Sequence, residues 1–177
     1  LAFRKLVDGT EDVSVRRRLL AGKVDDMLNT VVRQIAFHNF ETRVHEARRT
    51  AELTADEISD IWMETQREAL GPAVRTGDDY RPIWGYIPHF IHTPFYVYAY
   101  AFGDCLVNAL WQNFAAERDA GNAGAFVAKY RELLRAGGTE RYDVALARFG
   151  LDARDPSFWS MGLDMISGMI DELEGLS

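Results

Sequence analysis

The sequence holds a single cysteine, Cys105, which excludes an intrachain disulfide and a cysteine-rich zinc site. Cys105 lies in an apolar helical pattern and reads as a packed thiol rather than a nucleophile. Prolines are few and uneven. All five are Pro72, Pro82, Pro88, Pro94 and Pro156, so residues 1–71 and 95–155 have none. A helix interior excludes proline, which lacks the N–H and clashes with the preceding turn. The pattern predicts helices, one irregular crossing over about residues 71–93, then helices again. No run alternates with period two long enough for a sheet. There is no internal repeat and no low-complexity tract. Positive charge is also in short supply: 20 Lys and Arg stand against 27 Asp and Glu, a net charge of −7. That balance excludes the electrostatic footprint of a nucleic-acid binder. Arg16-Arg17-Arg18 and Arg48-Arg49 read as solvated helix faces. What is present is an ordinary globular composition, 47% hydrophobic and 27% charged. Its 177 residues suffice for one domain or a large piece of a bigger one.

The predicted fold class is all-α. Val24, Met27, Leu28, Val31 and Ile35 recur at spacings of three and four, with Phe37, Phe40 and Val44 on the other side. This predicts an interior helix over residues 24–47, sandwiched between neighbours. Thr54-Ala-Asp-Glu57 is a capping box, with Leu53 and Ile58 placed for a staple. Ile58, Ile61, Trp62 and Leu70 give that helix its buried face, and Gly71-Pro72 ends it. Thr93-Pro94 reads as a cap with proline at the first helical position, opening a stripe of Phe95, Tyr98, Phe102, Cys105, Leu106 and Ala109. Phe126, Val127, Tyr130, Leu133 and Leu134 mark another helix, closed by Gly137-Gly138. A short one ends near Phe149-Gly150. Asp155-Pro156 opens the last helix, packed through Trp159, Leu163, Ile166, Ile170 and Leu173.

Residues 80–102 concentrate nine aromatic side chains, and residues 82–103 carry no Asp, Glu, Lys or Arg. A membrane span would be long enough, but three prolines, two histidines and four tyrosines argue against one. A buried or cleft-lining segment fits better. Counted from Thr93 at 100° per residue, Tyr98 falls on the core side with Phe95 and Phe102. Tyr96 and Tyr100 point together the other way, beside the loop that carries His89 and His92. Two phenols and an imidazole are donors suited to a developing oxyanion. Aromatic stripes at this spacing also arise from packing alone, and geometry by itself leaves both readings open. His38 and His45 share one face of the 24–47 helix. His38-Asn-Phe-Glu41-Thr42 misses the inverted H-x-x-E-H zinc motif at Thr42. Residues seven apart on a helix lie roughly 10 Å apart along its axis, too far for one ion. Both histidines therefore read as hydrogen-bonded interior groups. His89-Phe-Ile-His92 offers two nitrogens where zinc needs three or four ligands.

Ile87-Pro-His-Phe90 followed by Thr93-Pro-Phe-Tyr-Val-Tyr-Ala-Tyr-Ala-Phe-Gly103 resembles the signature near the C-terminal end of oligoendopeptidase F, of the thimet-oligopeptidase-like zinc metallopeptidases. Val32-Arg-Gln-Ile-Ala-Phe-His-Asn-Phe-Glu41 is similar to the family's helix after the zinc site, and Gly71-Pro-Ala-Val74 to its following loop. Leu134-Arg-Ala-Gly-Gly138, Gly150-Leu-Asp152 and Pro156-Ser-Phe-Trp159 resemble its closing helices. The resemblance covers essentially the whole chain. It implies an all-helical endopeptidase that cuts short peptides in a deep channel, with zinc held by an H-E-x-x-H helix and a downstream Glu. By the same resemblance His89, Tyr100 and Tyr96 are the catalytic set, facing the zinc across the cleft. His92, Tyr98 and Tyr86 join as substrate-binding residues, His92 standing where many relatives have a tyrosine.

No H-E-x-x-H occurs in the sequence, so no metal ligand is assigned here. The expectation is that residues 1–177 form a single helical segment, the C-terminal portion of a peptidase catalytic domain, inactive alone. Zinc would belong to the full-length enzyme. The expected partners are the remainder of the peptidase chain and an oligopeptide substrate, with no nucleic acid and no membrane. A piece cut from a larger fold would expose apolar surface and could form a homo-oligomer through it. A lone reduced cysteine and no visible secretory signal at Leu1-Ala-Phe-Arg-Lys-Leu6 suit a cytoplasmic protein. The alternative is a stand-alone helical module that binds a peptide or ligand in its aromatic groove, without catalysis.

Overall fold

The computed structural model describes residues 2–176, whose regular structure is helical with no strand among them. Its helices are α1 (Ala2–Asp8), α2 (Val13–Thr30), α3 (Val32–Ala47), α4 (Ala55–Leu70), α5 (His89–His92), α6 (Tyr98–Asp119), α7 (Ala123–Ala136), α8 (Tyr142–Ala147) and α9 (Pro156–Gly175), with a 3-10 stretch at Asp78–Tyr86. Contacts divide the chain into two compact units, Asp25–Phe102 and Leu1–Val24 with Gly103–Ser177. No helix among the described residues is long and apolar enough to cross a membrane.

In the unit Asp25–Phe102 the predicted capping box forms as read. Thr54 Oγ1 accepts from Glu57 N–H at 3.3 Å, and the Glu57 carboxylate accepts from Thr54 N–H at 2.8 Å. The carboxylate is held below its ordinary range by that backbone hydrogen bond. The box starts α4, whose Ile58, Trp62 and Met63 are buried with Phe37 and Phe40 of α3. Leu53 packs on the same cluster as Ile58, as a staple should. Trp62 is fully buried, edge-on to Phe40 at 5.2 Å between ring centroids, and its indole N–H donates to Tyr80 O at 3.0 Å. Burying a side chain of this kind stabilises by roughly 1.5–3 kcal/mol, so Trp62 is a principal anchor of the unit. Trp84 donates to Ser59 Oγ at 3.0 Å, fastening the 3-10 stretch to α4.

The crossing predicted as irregular at 71–93 holds a 3-10 stretch and the single turn α5 between stretches of loop. The structure revises two readings in this unit. The helix read at 24–47 begins at Val13, capped by Asp12 Oδ1, and is interrupted at Val31. Thr30 Oγ1 bonds Asp26 O at 2.7 Å just before the break, a side-chain competition that bends helices. Val31 is buried, but Leu28 and Ile35 of the same stripe are exposed, so the helix is not covered on both sides. Finally, α6 begins at Tyr98 rather than directly after Thr93-Pro94.

The second unit keeps its predicted helices. Asp155 Oδ1 accepts from Ser157 N–H at 2.9 Å, with Pro156 next in line. On α9 Ile166 is buried as read, whereas Leu163 is exposed and the unpredicted Phe158 and Gly162 are buried in its place. Gly162 sits directly over Cys105 of α6, and a Cβ there would lie 2.9 Å from the Cys105 Cα. Gln112 Nε2 donates to Met161 O at 2.7 Å, and Asn113 Nδ2 to Phe149 O at 2.9 Å, which tie α6 to the later helices. Arg4 and Arg16 both grip Glu172, at 2.6 and 2.7 Å.

Candidate functional site

The charge-free aromatic segment is pinned at two places. Ile87 and Val97 both lie in the core with Phe37, Phe40 and Trp62, and Val97 has no exposed surface. Between these anchors the chain makes the turn α5 and a sharp reversal. His92 N–H donates to Pro88 O at 2.9 Å and Thr93 N–H to His89 O at 3.1 Å. Phe95 then adopts φ +59°, the only positive φ of a non-glycine among the described residues. Tyr96 O accepts from Ala99 N–H at 3.0 Å and Val97 O from Tyr100 N–H at 3.3 Å, giving α6 a tight entry.

This path brings His89, Tyr96 and Tyr100 together. His89 Nε2 and Tyr100 Oη are 3.1 Å apart. The Tyr96 ring is parallel to His89, with 6.5 Å between centroids, and edge-on to Tyr100 at 5.4 Å. Tyr96 is 50% exposed and Tyr100 39%, so the phenols face outward from the core beneath them. The tautomer of His89 decides which group is free. With a proton on Nε2 the imidazole donates to Tyr100 Oη, leaving the phenol O–H to donate outward. With Nε2 bare, the phenol donates inward instead. Such a pair can present one donor and shuttle one proton at its rim.

The other residues named from the sequence lie around this group rather than in it. Tyr98, placed by helical counting on the core side, is 54% exposed and meets His38 edge-on at 6.1 Å. The counting failed because it started the helix too early. Tyr86 is 86% exposed at the end of the 3-10 stretch, and His92 is exposed at the end of α5. His38 is half-buried with Nδ1 lacking a hydrogen bond, and His45 is exposed against the Phe95 ring at 4.7 Å. Neither is the hydrogen-bonded interior histidine that was expected. Among the described residues no group of three or more His, Cys, Asp or Glu could hold a metal ion. The residues present therefore do not fit a zinc site.

One member of the site was missed. Glu41 is 3% exposed, and its Oε1 accepts from Phe95 N–H at 2.7 Å. A carboxylate among Phe37, Phe40 and Val44 was the available signal, because a buried acid requires a partner. Glu41 also borders an apolar recess of about 290 Å³ lined by Phe40, Val44, Ile58, Trp84, Phe90 and Ile91, with His45 and Arg48 at its polar side.

Residues 5–165 match the model of peptidase family M3. The chain belongs to this family. Oligoendopeptidase F (plasmid form) of Lactococcus lactis subsp. cremoris is 28% identical over 172 residues, 97% of this chain and 28% of that protein. Oligopeptidase PepF of Bacillus subtilis is 26% identical over 172 residues, covering 97% of this chain and 25% of its own length. The crystal structure of oligoendopeptidase-F from Enterococcus faecium superposes with a TM-score of 0.85 at 27% identity, over 98% of this chain and 32% of that one. The M3 chain described here thus spans between a quarter and a third of the length of these three relatives. Its likeness to oligoendopeptidases runs through both compact units.

Proposed function

We propose that this chain forms one wall of the substrate cleft of a zinc-dependent oligoendopeptidase resembling oligoendopeptidase F, which hydrolyses short peptides. In this reading residues 1–177 are a single helical portion of the catalytic domain. The metal centre belongs to the remainder of the peptidase chain, the partner without which the segment is inactive. Tyr100 donates its O–H to the scissile carbonyl oxygen as negative charge develops there. His89 orients that hydroxyl and exchanges a proton with it, and Tyr96 supplies the second phenol. Tyr86, Tyr98 and His92, all exposed nearby, contact the peptide. A cytoplasmic setting belongs to the same proposal. The observation that carries it is the outward-facing His89–Tyr96–Tyr100 cluster, with its 3.1 Å contact, in a chain of family M3. The recess beside Glu41 favours a second reading, a helical module that binds a peptide or ligand without catalysis.

The test is Tyr100→Phe in the complete polypeptide that contains this sequence, assayed on a fluorogenic oligopeptide. Removing a donor used only in the transition state should lower kcat by roughly 10²-fold while KM changes little. Unchanged kcat would remove Tyr100 from the mechanism. Retained peptide affinity with no turnover in the unsubstituted polypeptide would favour the binding module.

A further inference from the structure

We propose that Glu41 is a positioning residue for the His89–Tyr96–Tyr100 face: its carboxylate holds Phe95 in the left-handed conformation that sends the following chain back toward His89. The functional weight of this proposal rests on the peptidase reading of that face; its geometry does not.

The bond from Phe95 N–H to Glu41 Oε1 joins residues 54 apart in sequence. At 2.7 Å it has the length of a charge-assisted hydrogen bond. Glu41 is almost fully buried among the aromatic residues of α3, where an acid serves no solvating purpose. Its partner is the only non-glycine residue with a positive φ among the described residues. A bulky side chain at φ +59° is strained, and such strain persists only where the surroundings over-determine it. α3 grips Phe95 twice, through Glu41 on the amide and, one turn later, through His45 against the ring at 4.7 Å. Tyr96 is the next residue, and its carbonyl begins the tight entry into α6 that sets the place of Tyr100. Val97 is locked in the core immediately afterwards. The φ angle at Phe95 therefore governs the direction in which Tyr96 leaves the turn. If Phe95 relaxed to a negative φ, Tyr96 would swing away from its parallel alignment with His89, and the anchored Val97 would limit how Tyr100 could follow.

The experiment is NMR on the complete polypeptide that contains this sequence, selectively labelled at Phe, His and Tyr. In the unsubstituted protein the Phe95 amide should exchange at least about tenfold more slowly than an unprotected amide, the protection expected of a hydrogen bond to a charged group. Unprotected exchange would overturn the proposal without any variant. In Glu41→Ala the cross-peaks from His89 to the Tyr96 ring should be lost, while the contact of His89 with Tyr100, which lies beyond the anchored Val97, should change less. Glu41→Gln keeps a carbonyl acceptor and should retain the Tyr96 cross-peaks. Combining Glu41→Ala with Phe95→Gly should restore the cross-peaks, because glycine adopts positive φ without the carboxylate. A residue that merely stabilised the fold would not be rescued this way. Cross-peaks that survive in folded Glu41→Ala, or fail to return in the double variant, refute the positioning role. Should Glu41→Ala not fold, amide protection and Glu41→Gln decide the matter. None of these signals requires peptide hydrolysis, so a Tyr100→Phe result against the peptidase reading leaves them to be judged separately.

Discussion

Replacing Gly162 by alanine probes a close approach of α6 and α9. A Cβ at this position would stand 2.9 Å from Cys105 Cα and 3.0 Å from both its Cβ and its Sγ. Carbon atoms are most stable at separations of about 3.5–4.0 Å, so all three contacts are repulsive. Two involve atoms fixed to the α6 backbone, and no rotamer change relieves them. The helices would have to move apart, and overpacking of this kind costs about 1–3 kcal/mol. Alanine also gains about 0.8–1 kcal/mol over glycine in a helix interior, which opposes the clash. Gly168 on the same helix removes that ambiguity. Nothing lies within 4 Å of a Cβ placed there, so Gly168→Ala collects the helical gain alone. The two variants should differ by the overpacking cost, about 1–3 kcal/mol, or several degrees in Tm for a chain of this size. Gly168→Ala should melt above the parent and Gly162→Ala below Gly168→Ala, read by circular dichroism at 222 nm during heating and in urea. Adding Cys105→Ala removes only the sulfur, so it should recover part of the loss at most. If Gly162→Ala melts together with Gly168→Ala, the close crossing of these helices is wrong.

Glu172 should give the second unit an acid-sensitive step. Hydrogen bonds from Arg4 and then Arg16 lower its pKa, so its stabilisation is complete above the unfolded carboxylate value and is lost as pH falls through the lower folded one. After screening, this amounts to about 1 kcal/mol, and Glu172→Gln should abolish that part of the difference between urea midpoints at pH 7 and pH 3. An equal pH dependence in both proteins would refute it. Cys105 is 2% exposed, and burial, with the neighbouring Asp104 charge, pushes its thiol upward. Labelling by iodoacetamide at pH 8 should be slow in the native chain and fast in denaturant; equal rates would contradict its packing.

Local chemistry made much of this fold legible. Thr54 and Glu57 sit three residues apart, and so do the groups they satisfy, so α4 could be started to the residue. Asp155-Pro156 opened α9 for the same reason. Thr93-Pro94 failed because the entry to α6 is decided by Glu41, a partner that no local window contains. Leu163 on α9 was misread for a different cause. Hydrophobic periodicity weights Trp159 and Leu163, whereas the contact is made by a glycine that carries no hydrophobic signal and matters through its lack of a side chain. The pairing of Tyr96 with Tyr100 survived the wrong helix start because the tight turn that replaces the predicted helix still brings residues four apart together.

The candidate site also explains why its supports were harder to read than its members. A phenol that is to meet a substrate oxygen must remain exposed, so burial of its own ring cannot hold it. Ring contacts of the kind linking His89, Tyr96 and Tyr100 contribute about 0.5–1.5 kcal/mol each, less than burying an aliphatic side chain completely. Precision must therefore come from neighbours that are buried. Ile87 lies two residues before His89, Val97 one after Tyr96 and three before Tyr100, and Glu41 holds the residue between. The exposed aromatic residues announce themselves by composition, while the groups that aim them resemble ordinary core. Glu41 is the exception, since only a hydrogen bond to something distant reconciles its charge with its burial.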